Sequence, residues 1–246
     1  MARVFISGST EGLGRAAAAS LVQAGHEVIV HARSSRRLPA VQHLLDRGAQ
    51  CVVGDLAVLE EVRQVADQAN GIGGISAVIH NAGVLNGPAL LPVNVVAPYL
   101  LTALIPGPRR LIYLSSGMHR GGDTGLDGLD WAGRTTTASY STTKLHVTAL
   151  AAAVARLVPH VASNAVDPGW VPTRMGGRSA PDSLELGHRT QEWLATTDDP
   201  AALGSGGYWY HQRRQTPHPA TQDPKFQDAL LAQLAEHTGV TLEALR

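Results

Sequence analysis

A doubly wound α/β domain, with a mainly parallel sheet between two layers of helices, is the fold class this sequence predicts. Three observations carry it. Short apolar runs such as Val4-Phe5-Ile6 and Ala77 to His80 have the character of strands buried on both faces. Stretches with helical periodicity separate them. The first run also passes at once through Ser7-Gly8-Ser9-Thr10-Glu11-Gly12-Leu13-Gly14 into a helix over residues 12–23, which ends at Gly25 and feeds a second strand, Glu27 to His31. About seven strands are expected, in a three-layer α/β/α arrangement within one domain, residues 1–246. No repeat, low-complexity tract or linker divides it.

Composition removes several function classes. Hydrophobic residues make up 44% and charged residues 16%, which describes a globular chain. Twenty basic and twenty acidic residues give zero formal charge, so neither a nucleic-acid nor a membrane surface is expected. The lone Cys51 leaves no intrachain disulfide and no thiolate cluster, and no His/Asp/Glu spacing has metal-ligand form, so no metal is expected. The chain runs directly into its first strand, and its longest uncharged helix candidate, Leu145 to Ala155, is too short to span a bilayer. The expectation is a soluble cytoplasmic protein.

Strand, glycine turn, helix, strand is the unit that sets a pyrophosphate on a helix N-terminus. Gly8 permits the tight turn, while Gly12 and Gly14 allow close backbone approach. The end of the second strand discriminates between nicotinamide cofactors. An NAD site wants an acidic residue there, and none occurs between Val28 and Leu45. Arg33 with Ser34 suits a 2′-phosphate instead, so NADP is expected and NAD is the weaker choice. Arg36 and Arg37 read as solvated loop charges, and Glu11 slightly disfavours an extra phosphate.

The third strand, residues 49–53, ends in Gly54-Asp55-Leu56. Asp55 has two equal readings, as acceptor from an adenine amino group or as a cap for the helix at 59–69. The fourth strand closes on Asn81-Ala82-Gly83, a turn beside the cofactor with an amide able to brace its neighbour. Asn94, in an apolar segment over 88–104, reads as a kink or a satisfied amide. The fifth strand, residues 110–114, delivers Ser115-Ser116-Gly117 at its carboxyl end, where ligands sit in open parallel sheets. Strand alternation turns Ser115 into the sheet and Ser116 outward. A sixth strand over 161–166 leads to Asp167-Pro168-Gly169-Trp170-Val171-Pro172-Thr173. Beyond it come a substrate lid around 174–200, whose stretch 184–195 is helical, a short aromatic strand at 206–210, an open polar tail over 212–223 and an amphipathic helix over 225–237.

Tyr140 and Lys144 sit four apart at the head of an alanine-rich helix, which brings phenol and ammonium onto one face. A proton shuttle needs a pKa near the working pH. Lowering a tyrosine from about 10 to about 7 takes roughly 4 kcal/mol, part of which a lysine is expected to supply.

With Gly8, Gly12, Gly14, Asp55, Asn81-Ala82-Gly83, Asn94, Ser116, Tyr140-x-x-x-Lys144 and Pro168-Gly169…Thr173 in that order, the chain resembles a short-chain dehydrogenase/reductase of the single-domain type. The resemblance covers residues 1 to about 175. Ser115-Ser116-Gly117-Met118-His119, the Trp131 loop and Gly206 to Tyr210 are similar, more loosely, to a branch holding retinol dehydrogenases, the WW-domain oxidoreductase and protochlorophyllide reductase. The resemblance implies a Rossmann-type fold with Tyr140 exchanging a proton with a carbonyl or alcohol. Lys144 would tune that phenol and hold the nicotinamide ribose, Ser116 would bond the substrate oxygen, and Asn94 would anchor a relay water. Implied cofactor contacts are Gly8, Ser9, Thr10, Glu11, Gly12, Leu13, Gly14, Arg33, Ser34, Asp55, Leu56, Asn81, Ala82, Gly83, Tyr140, Lys144, Pro168, Gly169, Val171 and Thr173. Only ten residues separate Gly83 from Asn94, a trimmed interval that implies a shortened helix beside the site, a wider pocket and an altered oligomer face. His119, Trp131, His146, Trp170 and Trp193 are the candidates for substrate contact.

The leading reading is an NADP-dependent oxidoreductase interconverting carbonyl and alcohol on a small or medium hydrophobic molecule, with the assembly state left open. A non-catalytic NADP(H) sensor is the alternative. A sugar-nucleotide epimerase shares the Tyr/Lys chemistry, but its G-x-x-G-x-x-G turn and larger C-terminal domain are missing.

Overall fold

The computed structural model describes residues 1–242. Eight strands form one sheet: β1 (Arg3–Ile6), β2 (Glu27–Ala32), β3 (Gln50–Val53), β4 (Ala77–His80), β5 (Arg110–Leu114), β6 (Ala162–Asp167), β7 (Tyr208–Tyr210) and β8 (Arg213–Gln215), in the order 3-2-1-4-5-6-7-8. All neighbours are parallel except β7 and β8. The chain leaves β1 toward β2 on one side and returns to β4 on the other. The carboxyl ends of β1 and β4 therefore flank the switch point, where open α/β sheets bind ligands.

Seven helices cover the sheet: α1 (Gly12–Gln23), α2 (Gln42–Leu45), α3 (Leu59–Ile72), α4 (Ala97–Leu104), α5 (Tyr140–Leu157), α6 (Leu184–Thr196) and α7 (Pro224–Thr238). Strand alternation sorts them into two layers. Phe5, Ile29, Val78, Leu111 and Tyr113 face the core shared with α3, α4, α5 and α7. Val4, Ile6, Val28, Val30, Ile79 and Ile112 face the core shared with α1 and α6. Burial on both faces is why these strands read as continuous apolar runs.

Three features differ from the sequence reading. The sheet has eight strands, because β8 lies in the stretch expected to be an open polar tail. Its three residues are all exposed, so no apolar alternation marks them. The β7–β8 turn uses His211 (φ 46°) and Gln212 (φ 60°) where glycine or asparagine is the usual hairpin signal. Thr190 Oγ1 accepts from the Gln212 N–H at 3.0 Å and helps hold that turn.

The second difference concerns the lid. Helix α6 packs against α1 and the sheet, with Gln191, Leu194 and Ala195 buried. Of the stretch 174–200, helix α6 takes 184–196, and residues 174–183 and 197–200 are without helix or strand.

Third, the apolar segment at 88–104 forms a π-helical turn, Pro92–Val96, that leads directly into α4, and both are buried almost throughout. The chain's own C-terminal part covers it. The Tyr99 hydroxyl donates to Val240 O at 2.6 Å, and Arg63 Nη2 donates to Thr238 O at 2.6 Å. Helix α7 lies along α5, N-capped by Asp223 and ended by Gly239. Among the described residues no helix is long and apolar enough to cross a membrane.

Buried imidazoles make this fold sensitive to acid. His80 stacks on Tyr113, and burial pushes its pKa down to about 3. His146, between Trp131 and Phe226, faces the Asp123 backbone without a well-formed hydrogen bond and is pushed down to about 4, again mainly by burial. An unfolded histidine takes its proton near pH 6.5, so their contribution is complete above that pH and is lost as pH falls toward 4, at about 1.4 kcal/mol per pH unit for each. Calorimetric melting temperatures are expected to fall steeply from pH 6.5 to 5. His146→Phe should make that fall shallower by one proton's share, and an unchanged slope would mean His146 is charged in the native state.

Candidate active site

The glycine turn after β1 is clamped to the end of β4. Asn81 Nδ2 donates to Ser7 O at 2.9 Å and to Gly8 O at 3.0 Å. Ser7 Oγ accepts from the Asn81 and Ala82 N–H groups, each at 3.0 Å. The two segments touch: a Cβ on Gly8 (φ +65°) would stand 2.8 Å from Ala82 Cα, and one on Gly14 would stand 2.4 Å from Asn81 Nδ2. Asn81 is thus the brace the sequence suggested. Helix α1 opens from this turn, with its first-turn amides directed at the crevice.

Several residues read as cofactor contacts have other work. The Ser9 hydroxyl donates to Ile6 O at 2.8 Å and accepts from His31 N, while its own N–H donates to His31 O, so its hydroxyl and amide are engaged within the protein. Leu56 is buried in the α3-side core, and Leu13 packs under Gly187, which leaves only their backbones for a ligand. Thr10 is buried beside them. Asp55 Oδ1 accepts from Ala57 N at 3.0 Å, a local turn contact, and it does not cap α3, whose N-cap position is Val58 without a side-chain bond. Glu11 pairs with Arg37 at 2.7 Å and approaches Arg174 at 4.0 Å, so Arg37 is not a free loop charge and the acidity of Glu11 is offset. Arg33 is exposed and Ser34 half-buried just past β2.

At the end of β5 the alternation holds. Ser115 is buried, its hydroxyl 2.6 Å from Thr148 Oγ1 on α5. The Ser116 hydroxyl accepts from Met118 N at 3.2 Å and faces the Tyr140 phenol. Tyr140 opens α5, whose N-terminus is capped by Ser139 Oγ accepting from Thr142 N at 3.1 Å. One turn on, Lys144 is buried. Its Nζ donates to Leu114 O at 2.6 Å and lies 5.4 Å from the centre of the Tyr140 ring. A Cβ on Gly83 would stand 3.6 Å from that nitrogen, which puts the ammonium against the Asn81-Ala82-Gly83 turn.

Asn94 is the satisfied amide of the sequence reading. Its Oδ1 accepts from Val84 N at 2.9 Å, and its Nδ2 donates to Val84 O and to Thr143 Oγ1, each at 3.0 Å. The side chain clamps the start of the shortened helix to the residue preceding Lys144.

The protonation balance differs from the simple Tyr/Lys picture. Burial pushes the Tyr140 phenol up to about 12, with Ser116 pulling it down and the Asp167 carboxylate pushing it further up. Burial brings Lys144 down to about 8, opposed by Asp167. Desolvation is the largest cause at both groups, and it works against the charged form of each.

Asp167, quoted in the sequence only as part of a turn, is therefore an electrostatic member of the site. Its Oδ1 accepts from Gly169 N at 3.0 Å. Thr173 also reaches the glycine turn, its methyl 3.3 Å from where a Gly12 Cβ would be, while Val171 is buried and Pro168 and Gly169 are half-buried.

Among the proposed substrate contacts, Trp131, His146 and Trp193 are packing residues. Trp131 Nε1 donates to Gln233 on α7 at 3.0 Å, and Trp193 meets Trp209 edge-on beneath α6. His119 is buried and packs against Tyr208 with its ring tilted, centroids 4.5 Å apart. Its Nε2 accepts from His218 N, so Nδ1 carries the proton and donates to Ser116 O at 2.8 Å. Trp170 is exposed, its Nε1 donating to Gly176 O within the candidate lid.

Residues 2–98 match the family model described as short chain dehydrogenase. The chain is 37% identical over 256 residues to the short-chain dehydrogenase chry4 of Gibberella zeae, covering 98% of this chain and 99% of that one. It is 25% identical over 286 residues to retinol dehydrogenase 13 of Homo sapiens, covering 99% and 86%, which bears out the retinol dehydrogenase part of the branch resemblance. A solved Shigella flexneri short chain dehydrogenase complexed with NADP superposes with TM-score 0.68 at 20% identity, covering 86% of this chain and 97% of that one.

Replacing Asn94 by Leu leaves the half-buried Val84 N–H and C=O and the buried Thr143 hydroxyl without their partner. A loss of about 1–3 kcal/mol is expected, measured as a lower urea midpoint with an unchanged slope.

Proposed function

The chain belongs to the short-chain dehydrogenase/reductase family of oxidoreductases, and from that premise we propose that it is an NADP-dependent enzyme interconverting a carbonyl and an alcohol, with Tyr140 as general acid and base. The observation that carries the reading is convergence: Ser116, Tyr140 and Lys144 meet at the carboxyl end of β5, against the Gly83 turn and beside the switch point. The residues fit a dinucleotide, because Gly8 and Gly14 carry no side chain where a Cβ would collide with Ala82 and Asn81, which leaves backbone alone facing the crevice at the head of α1. In this reading the first-turn amides of α1 hold the pyrophosphate and Arg33 with Ser34 holds the 2′-phosphate. The NADP in the Shigella flexneri neighbour supports that cofactor choice. When bound, NADPH supplies the hydride for the carbonyl carbon.

The protein's own groups do the rest. Ser116 holds the carbonyl oxygen, Tyr140 passes its hydroxyl proton to that oxygen, and Lys144 anchors the nicotinamide ribose while its positive charge favours the phenolate left behind. The substrate in this reading is a small or medium hydrophobic molecule. A cytoplasmic setting belongs to this reading, supported by the single free Cys51.

The test is a panel of aldehydes, ketones and alcohols followed by absorbance of the reduced nicotinamide with both cofactors. Tyr140→Phe should abolish turnover with cofactor affinity nearly intact. Tight cofactor binding without turnover by wild type across the panel would replace this reading with a non-catalytic sensor. Arg33→Asp should erode the preference for NADP over NAD, and an unchanged ratio would remove Arg33 from the site. Lys144 is positively charged below its pKa of about 8 and neutral above it, so reduction rates should fall as pH rises through that region.

A further inference from the structure

We propose that His31 is a positioning residue for the dinucleotide: one imidazole ties the phosphate-binding turn after β1 to the adenine-side edge after β3. The inference rests on the cofactor reading above. His31 is almost wholly buried near the end of β2. Its Nδ1 accepts from the Gly8 N–H at 2.9 Å, and its Nε2 lies 2.8 Å from Gly54 O. A nitrogen that accepts at one position leaves the proton at the other, so the ring is the neutral Nε2–H tautomer donating to Gly54. The main chain of His31 is fixed as well, its N–H donating to Ser9 Oγ and its C=O accepting from Ser9 N.

Strand register does not need this bridge. The β1–β2 ladder runs from Arg3↔Glu27 to Ile6↔Val30, and the β2–β3 ladder from Ile29↔Gln50 to Ala32↔Val53. What His31 fixes lies beyond those ladders, the peptide groups of Gly8 and Gly54. His31 holds the Gly8 N–H and Asn81 holds the Gly8 C=O, so the peptide groups on both sides of Gly8 are pinned and the amides that follow keep their aim. On the other side, Gly54 precedes Asp55, whose N–H is held by Glu61 Oε2 at 2.6 Å. Slack between these two edges would have to be removed each time a dinucleotide bound, and a prefixed crevice avoids that cost. No aliphatic residue can replace the ring, since the Gly8 donor and the Gly54 acceptor would both be left without partners.

The experiment measures NADPH and NADH dissociation constants by fluorescence titration, steady-state kinetics and ligand-free melting temperature for wild type, His31→Leu and His31→Gln. Expected for His31→Leu is weakening of both cofactors by about tenfold, with kcat at saturating cofactor within about twofold of wild type. His31→Gln, which keeps one acceptor and one donor, should recover part of the affinity. Should His31→Leu fail to fold, His31→Gln is read alone, together with the imidazole nitrogen resonances of wild type, which should report the Nε2–H tautomer. Unchanged cofactor affinity in a folded His31→Leu, or the opposite tautomer, overturns the inference while leaving the enzyme reading intact. A wild type that binds neither dinucleotide overturns the reading of the crevice itself.

Discussion

The tie between the ends of β1 and β4 is the constraint on which the rest of the site depends. A parallel sheet leaves backbone groups unpaired where its strands diverge, and at the switch point two neighbouring strands part toward opposite sides. Here Ser7 and Asn81 take up those groups across the gap. The pairing pulls the glycine turn so close to the Asn81-Ala82-Gly83 turn that Gly8 and Gly14 have no room for a Cβ. The same closeness brings Gly83 against Lys144 and sets the glycine turn and the Ser116–Tyr140–Lys144 group at a fixed separation.

Lys144 is the second fixed point. A buried ammonium survives only with good partners, and this one donates to the carbonyl that ends β5. The arrangement ties α5 to the strand that delivers Ser116, so phenol, hydroxyl and ammonium share one frame. The phenol is nonetheless a weaker acid than its neighbour suggests. Burial desolvates Tyr140 and Lys144 alike, and Asp167 at the end of β6 pushes both pKa values upward. In such a dry place each added charge acts strongly, so the protonation balance is set by what occupies the crevice as much as by the side chains around it.

The C-terminal third completes the molecule on both faces. Helix α6 closes the α1 layer, while α7 and the segment through Val240 cover α5 and the shortened α4 with the chain's own apolar surface. Trp131 and His146 are drawn into this packing, which is why aromatic residues near the site in sequence are not all near it in space.

The sequence by itself determined the strand order of events along the chain, the glycine turn, the bracing amide of Asn81, the outward Ser116 and the pairing of Tyr140 with Lys144 on one helix face. These follow from period, turn chemistry and spacing, which are local and need no neighbour. Tertiary structure alone decided the rest. β8 has no apolar pattern and a turn without glycine, so only its ladder to β7 makes it a strand. His31 reads as one more member of a buried run until Gly8 and Gly54 are seen at its two nitrogens. The acidity of Tyr140 was beyond reach for the same reason: desolvation and the nearness of Asp167 are properties of the space around a group, and residues far apart in the chain build that space.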